Sequence, residues 1–287
     1  MRDKHINTLS IAKKILTHLL IYIVLVLMSV VILYPLLWII GTSFDPINNL
    51  GRTSIIPQDA TFDNYVRLIQ ETKYINWYRN TGYIAIMTMV FSVVVNTLTA
   101  FVFARFRFRG RKAGMLSALI LQTFPSFMGL TAIFMIALNF GMLDNLNMLV
   151  IVYVAGSIPI NIWLIRGNLQ NLSRSIDEAA YIDGASKLQV FVKILLPLSV
   201  PIISFIALLS FMVPWMDFML PRYLIKSMDK QTLAVGLFNM SNPQDVQADL
   251  TAFCAGSILI AVPITVLYLV FQRFLIAGLA AGANKGE

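Results

Sequence analysis

The sequence predicts an all-α membrane protein with six transmembrane helices and both termini on one, cytoplasmic, side. Three observations carry that expectation. Of the 287 residues, 58% are hydrophobic and only 13% charged, whereas a soluble domain carries about 25% charge. The apolar residues are gathered into long runs, as a chain that repeatedly crosses ~30 Å of hydrocarbon requires. The 22 Lys and Arg residues, which give a net charge of +8, are shared unevenly between alternate polar segments. In a membrane protein such asymmetry records orientation.

Residues 1–14 form a basic tail with Arg2, Lys4, Lys13 and Lys14. The first span, about 15–40, is longer than a signal-peptide core and lacks a small-residue cleavage pattern; Pro35 is expected to kink it. The polar segment 41–80 has turn signals at Asp45-Pro46 and Asn49-Leu50-Gly51. Thr61 is placed to cap a short helix presenting Tyr65, Leu68 and Ile69 on one side, and Trp77 and Tyr78 are expected at a membrane–water interface. The second span, about 82–104, ends in Arg105, Arg107, Arg109, Arg111 and Lys112, read as an anchor among lipid headgroups. Without an aromatic platform or a folded basic domain, that run does not point to nucleic acid.

The third span, about 115–138, is interrupted at Pro125. A loop with Asn139, Gly141, Asp144 and Asn147 leads to the fourth, about 149–165, closed by Arg166. The fifth covers about 198–220 and the sixth about 252–271, with a small-residue tail at 272–287. Residues 15–271 thus form one membrane domain, and loop 167–197 is its longest segment outside the spans with strong local signals. Six spans bring the tails, the loop at 105–113 and the loop at 167–197 to one side. That side holds fifteen of the basic residues, counting Arg166, against seven on the longer opposite loops, and is therefore cytoplasmic.

The stretch from Ser175 to Pro201 reads as a knuckle. Ser175 is a helix cap, and Glu178 three residues later completes a capping-box pattern. Gly184 suits the left-handed turn past a helix end. Ser186 and Gln189 repeat the start signal, and Pro197 is expected to stop the second helix. Ala179, Ala180 and Ala185 are small enough to let a cytosolic partner approach closely. The plain alternative is that Glu178 caps its own helix, Gly184 ends it, and the alanines are helix formers.

Polar side chains within the spans are costly and so informative. Ser92, Asn96 and Thr99 share one helix face. Gln122 precedes Pro125, Asn161 follows an expected break at Gly156-Ser157-Pro159, and Asp217, beside Trp215, is the only carboxylate expected inside a span. Asn96, Gln122, Asn161, Trp215 and Asp217 are candidates for a substrate path, because amides and carboxylates meet hydroxyls while ring faces stack on apolar surfaces. The competing role is glue between helices. Chemistry is not expected: the sequence has no phosphate-binding Gly-Lys loop, no nucleophile elbow and no zinc-binding pattern, with one cysteine, Cys254, and two histidines, His5 and His18. No catalytic residue, metal or cofactor is expected.

Several motifs together resemble a known family. Glu178-Ala179-Ala180, Asp183-Gly184-Ala185, Leu196-Pro197 and Pro201 are similar to the EAA loop of ABC-importer permeases. Ala104-Arg105-Phe106-Arg107-Phe108, Gln122-Thr123-Phe124-Pro125, Thr232-Leu233-Ala234-Val235-Gly236 and the tail from Gln272 to Gly282 resemble the carbohydrate-uptake branch, of the maltose/maltodextrin type. Ala283 departs from the glycine expected in that tail. The resemblance implies a type I permease fold in the inner membrane of a prokaryote. It also implies a heterodimer with a second permease subunit, two copies of a cytosolic ABC ATPase, an extracytoplasmic solute-binding protein, and an oligosaccharide cargo. It further implies that Glu178, Ala179, Ala180, Asp183, Gly184 and Ala185 couple to the ATPase, and that Gly278, Ala280, Ala281, Gly282 and Lys285 contact it from the tail. An ABC permease for another solute and an ion-coupled secondary transporter are the alternatives; the latter would need paired ionisable groups near the bilayer midplane.

Overall fold

The helix α3 (Tyr74–Arg105) lies at the centre of the packing, with two further helices laid against it. The computed structural model describes residues 2–47, 55–123, 126–242 and 248–283, and the backbone alone for 2–13, 126 and 273–283. Small and hydroxylated residues of α3 (Ala85, Thr88, Ser92, Ala100, Ala104) are buried. They let α6 (Leu146–Asn171) and α10 (Val200–Met216) lie close along it, as small interfacial residues do where lipid offers no hydrophobic driving force between helices. Outside this trio, α13 (Leu250–Ala283) packs on α10, and α1 (Arg2–Ser43) packs on α13. Side chains of α1 from 14 to 37 point outward, and burial begins only at its end, Gly41–Ser43. An apolar helix with that exposure is a lipid-facing element.

Among the described residues, four helices are long and apolar enough to cross a membrane, over 14–43, 74–105, 146–171 and 250–272. A fifth is counted if the pair 187–198 and 200–216, bent by 78°, is one span. The expected third span, 115–138, is divided. α4 (Arg111–Leu121) ends one turn before a 3₁₀ turn at Ser126–Gly129, and α5 (Leu130–Asn139) follows. Pro125, the expected interruption, lies outside the described residues, as do Phe124 and Asn49-Leu50-Gly51. The expected break at Gly156-Ser157-Pro159 does not occur: α6 carries Pro159 inside an uninterrupted helix and continues past Arg166. The expected tail from 272 is helical as far as Ala283.

At the Tyr74 end of α3, a short helix α2 (Asp63–Glu71) and the segments after α10 form a cap. Here three expectations change. Thr61 does accept the Asp63 N–H at 3.1 Å, but Phe62 holds the cap position. Of the three residues expected on one side, Leu68 is buried whereas Ile69 is exposed. Trp77 is 1% exposed, so its ring meets other side chains and not headgroups or water. Its ring lies in the core with Leu68, Leu233, Leu237 and Trp215, and its Nε1–H donates to the Met228 carbonyl at 3.3 Å. That core holds a place for a large ring and an acceptor for its donor, so the indole is drawn inward.

At the other end of α3, Phe101 and Ala104 form a second core with Ile165 and Leu169 of α6 and the apolar side of the segment 174–198. That segment is the knuckle.

Candidate functional site

The knuckle begins two residues earlier than its capping signal suggests. Ser173, not Ser175, caps α7 (Arg174–Ile182), its hydroxyl accepting the Ser175 N–H at 3.3 Å. Ser175 therefore sits inside the first turn, and Glu178 is too far along the helix to reach back to the cap. Among the described residues the Glu178 carboxylate has no hydrogen bond or ion pair, and it is exposed. The capping box expected at Ser175 and Glu178 does not form. Its absence leaves an acidic group on the surface with no local partner.

Gly184 does what its type allows. With φ at +83° it occupies the left-handed region, its N–H donates to Tyr181 and the Ala185 N–H donates to Ala180, at 3.1 and 2.9 Å. These two bonds make a Schellman ending. A Cβ at Gly184 would meet nothing within 4 Å, so backbone conformation, not crowding, asks for glycine. Beyond it Ser186 and Gln189 form a complete capping box, at 2.7 and 3.3 Å, opening α8 (Lys187–Val190).

The second helix does not stop at Pro197. A π-helical turn over Phe191–Leu195 and a short helix α9 (Leu196–Leu198) carry the chain past it, and the 78° bend comes at Ser199. Pro197 and Pro201 each withdraw an N–H donor, and the backbone adapts: the Leu196 N–H reaches the Phe191 carbonyl, five residues back.

The two sides of the knuckle differ in chemistry. Toward the bundle it turns Asp177, Ala180, Val190, Phe191 and Leu195, all buried; the Phe191 and Phe101 rings lie 4.5 Å apart. Ala180 is thus part of the internal core and not a small residue offered to a partner, and Ala185 is half-buried. Outward it turns Glu178, Ala179, Tyr181, Ile182, Asp183, Gly184 and Leu188. Ile182 is 86% exposed, an unusual position for a bulky aliphatic beside a carboxylate. The outward surface is a bulky apolar tip flanked by Glu178 and Asp183, and not the smooth alanine surface expected.

One basic residue proves misread. Arg105 does not reach for headgroups. Its Nε lies 2.7 Å from Asp177 Oδ2, with side chains only 7% and 9% exposed, and its Nη2 contacts Asp177 Oδ1 at 3.4 Å and the Leu172 carbonyl at 3.3 Å. Burial leaves the Asp177 carboxyl raised above its ordinary value, outweighing the opposing pull of Arg105 and then Arg174. A buried pair of this kind joins residues 72 positions apart, and no local signal announces it.

The five residues expected on a substrate path are not brought together. Asn96 is fully buried between α3 and α6, donating to Ser157 Oγ at 3.0 Å, which in turn donates to Ser92 at 3.2 Å. Asn161 is buried one turn further along α6. Trp215 lies in the opposite core, its ring edge-on to Tyr78 at 5.3 Å. Gln122 is exposed at the end of α4. Asp217 is not inside a span but at the end of α10, where the chain turns into α11 (Met219–Leu224). Its oxygens accept Tyr153 Oη–H at 2.9 Å and the N–H groups of Met219 and Leu220. Of the expected tail contacts, Gly278, Ala280, Ala281 and Gly282 lie on α13 with backbone alone described, and Lys285 lies outside the described residues. No cluster of metal-ligating side chains occurs among the described residues.

Comparison with known proteins places this geometry in context. A family model described as binding-protein-dependent transport system inner membrane component matches residues 96–279. The chain is 41% identical over 269 residues to the galactooligosaccharides transport system permease protein GanQ of Bacillus subtilis (strain 168), covering 92% of this chain and 94% of that protein. It is 40% identical over 274 residues to the maltodextrin transport system permease protein MdxG of the same organism, covering 95% and 98%. Among solved structures, a chain of a bacterial ABC transporter involved in the import of the acidic polysaccharide alginate has the same fold, with a TM-score of 0.81 at 24% identity over 90% of this chain and 96% of that one.

Proposed function

The chain belongs to the family of binding-protein-dependent transport system inner membrane components, and from that premise we propose that it is the permease subunit of an ATP-driven oligosaccharide importer. Galactooligosaccharides and maltodextrins are the cargo classes for which the relatives of 37–41% identity are named, and others are named for trehalose. It is a multi-pass membrane protein. In the assembly we propose, it pairs with a second permease, rests on two copies of a cytosolic ATPase and receives sugar from an extracytoplasmic binding protein. Both termini and the knuckle face the cytosol, where basic residues are concentrated.

The observation that carries this reading is the outward surface of the knuckle. Among the described residues Glu178 has no partner, and it stands four residues, one helical turn, from the exposed Ile182. Such a surface fits a cleft with an apolar floor and a basic rim. Glu178, Ala179, Ile182, Asp183 and the Gly184 hinge would enter that cleft on the ATPase, while Ala180 and Ala185 hold the knuckle to the bundle. When ATP closes the two ATPases, the knuckles travel with them and the bundle rocks between inward-open and outward-open forms. The end of α13, with Gly278, Ala280, Ala281, Gly282 and Lys285, would reach between the ATPases. In the sugar path, Asn96, Asn161, Trp215 and Asp217 are buried or engaged within the bundle and would act mainly as ties between helices; Gln122, exposed on α4, would be the one to meet a sugar hydroxyl.

The test is reconstitution with a second permease, the ATPase and the binding protein in vesicles, followed by uptake of labelled galactooligosaccharide and maltodextrin. ATP-dependent uptake of either is expected, and Glu178→Ala combined with Ile182→Asp should abolish both ATPase attachment and uptake. Uptake by this chain alone, driven by an ion gradient without any ATPase, would defeat the reading. The ion-coupled alternative is disfavoured, because the Asp217 carboxylate is held by a tyrosine hydroxyl and two amides rather than by a second carboxylate or a basic side chain.

A further inference from the structure

Four ion pairs occur among the described residues, and they are not alike. Arg67–Asp249, Lys73–Asp229 and Lys230–Asp144 lie toward the Tyr74 end and are partly or largely wet, while Arg105–Asp177 lies at the other end and is almost dry. The dry pair sits at a mechanical joint. α6 ends at Asn171 and α7 begins at Arg174, so on the α6 side only Leu172 and Ser173 join the knuckle to the bundle, while its far side runs through α9 and the bend at Ser199 into α10. Arg105 is the last residue of α3. Its Nη2 donates to Asp177 Oδ1 on α7 and to the carbonyl of Leu172 in the elbow, while its Nε lies 2.7 Å from Asp177 Oδ2 as an ion pair without hydrogen-bond alignment, so one guanidinium pins three elements. A lysine could supply the charge but not this two-point geometry.

We propose that Arg105 is a positioning residue for energy coupling: held on Asp177 and Leu172, it fixes the angle of the knuckle on α3 and α6. A push on the knuckle then moves those helices as one body, instead of being absorbed at the two-residue elbow. The proposal rests on the docking reading given above. Burial strengthens it, because neither charge can leave the other without standing unpaired in a dry site. Asp177 faces Arg105 first and Arg174 second, with Glu178 as its like-charged neighbour.

The experiment uses the reconstituted complex with its second permease, ATPase and binding protein. The variants are Arg105→Lys, which keeps the charge and loses the fork, and the double change Arg105→Met with Asp177→Leu, which replaces the pair by apolar side chains of similar bulk. Leu188→Cys, on the exposed side of the knuckle, reports docking by cross-linking to the ATPase; Cys254 is buried and does not interfere. Both variants should still cross-link and hydrolyse ATP, while sugar imported per ATP falls roughly tenfold or more. An unchanged ratio in the double variant with the cross-link intact overturns this proposal alone. If the double variant fails to assemble, Arg105→Lys decides the matter in the same way. No cross-link in the otherwise unaltered protein overturns the docking reading itself.

Discussion

Gly236 and Trp77 are close enough that only a hydrogen fits between them. A Cβ at Gly236 would overlap atoms of the indole ring, which is itself enclosed by the core around Leu68 and Leu233. Gly236→Ala must therefore displace a packed tryptophan and should cost about 1–3 kcal/mol, seen as a lower unfolding temperature and a shifted tryptophan emission. The glycine at 184 is required for a different reason. Nothing crowds it, but its φ of +83° is a region that a β-branched residue scarcely enters. Gly184→Val should abolish ATP-driven uptake while leaving membrane insertion and the unfolding of the bundle little changed. Normal uptake by that variant would argue that the angle between α7 and α8 does not matter. The hinge glycine was legible in the sequence because its requirement is local; the partner of Gly236, 159 positions away along the chain, was not.

At the scale of elements, one carboxylate ties several segments together at the end opposite the knuckle. Asp144, in the loop between α5 and α6, accepts the N–H groups of Lys226 and Ser227 at 2.9 Å, the Ser227 hydroxyl at 2.6 Å and Lys230 Nζ at 3.0 Å. Its own N–H donates to Leu224 at the end of α11. Partial burial works against its charge, but the bonds from Ser227, Lys226 and Lys230 outweigh it and hold the carboxyl well below its ordinary range. A depressed folded-state pKa stabilises the fold above the unfolded value of about 4 and ceases to do so as pH falls through the folded value. Asp144→Ala should thus lower the unfolding temperature at neutral pH, with the gap to the parent protein closing only in strong acid. A gap that stayed constant down to pH 2 would place the effect in packing and not in charge. Element ends were the least legible feature: α7 starts at Arg174 and α9 runs past Pro197. A cap two residues away competes with the motif in the first case, and a π turn accommodates the missing donor in the second.

Considered whole, the molecule is a spine, α3, with a capped end at Tyr74 and a knuckle at Arg105, clad in apolar helices. Exposed residues at the two ends allow its orientation to be tested. In intact cells an impermeant thiol reagent should label Phe140→Cys from outside and leave Leu188→Cys untouched, the pattern reversing in inside-out vesicles; both side chains are well exposed. Labelling of Leu188→Cys in intact cells would invert the assignment of sides. What the sequence determined by itself was the all-helical membrane class, the crowding of basic charge on alternate segments, the turn at Gly184 and the capping box at Ser186. Each of these depends on hydropathy or on bonds within a few residues. Tertiary structure alone decided that Arg105 and Asp177 form a buried pair, that Trp77 lies in a core and that Asp217 serves a helix junction. A charged or aromatic side chain has a wide choice of surroundings, and its choice is made by residues distant in the chain that folding brings within reach.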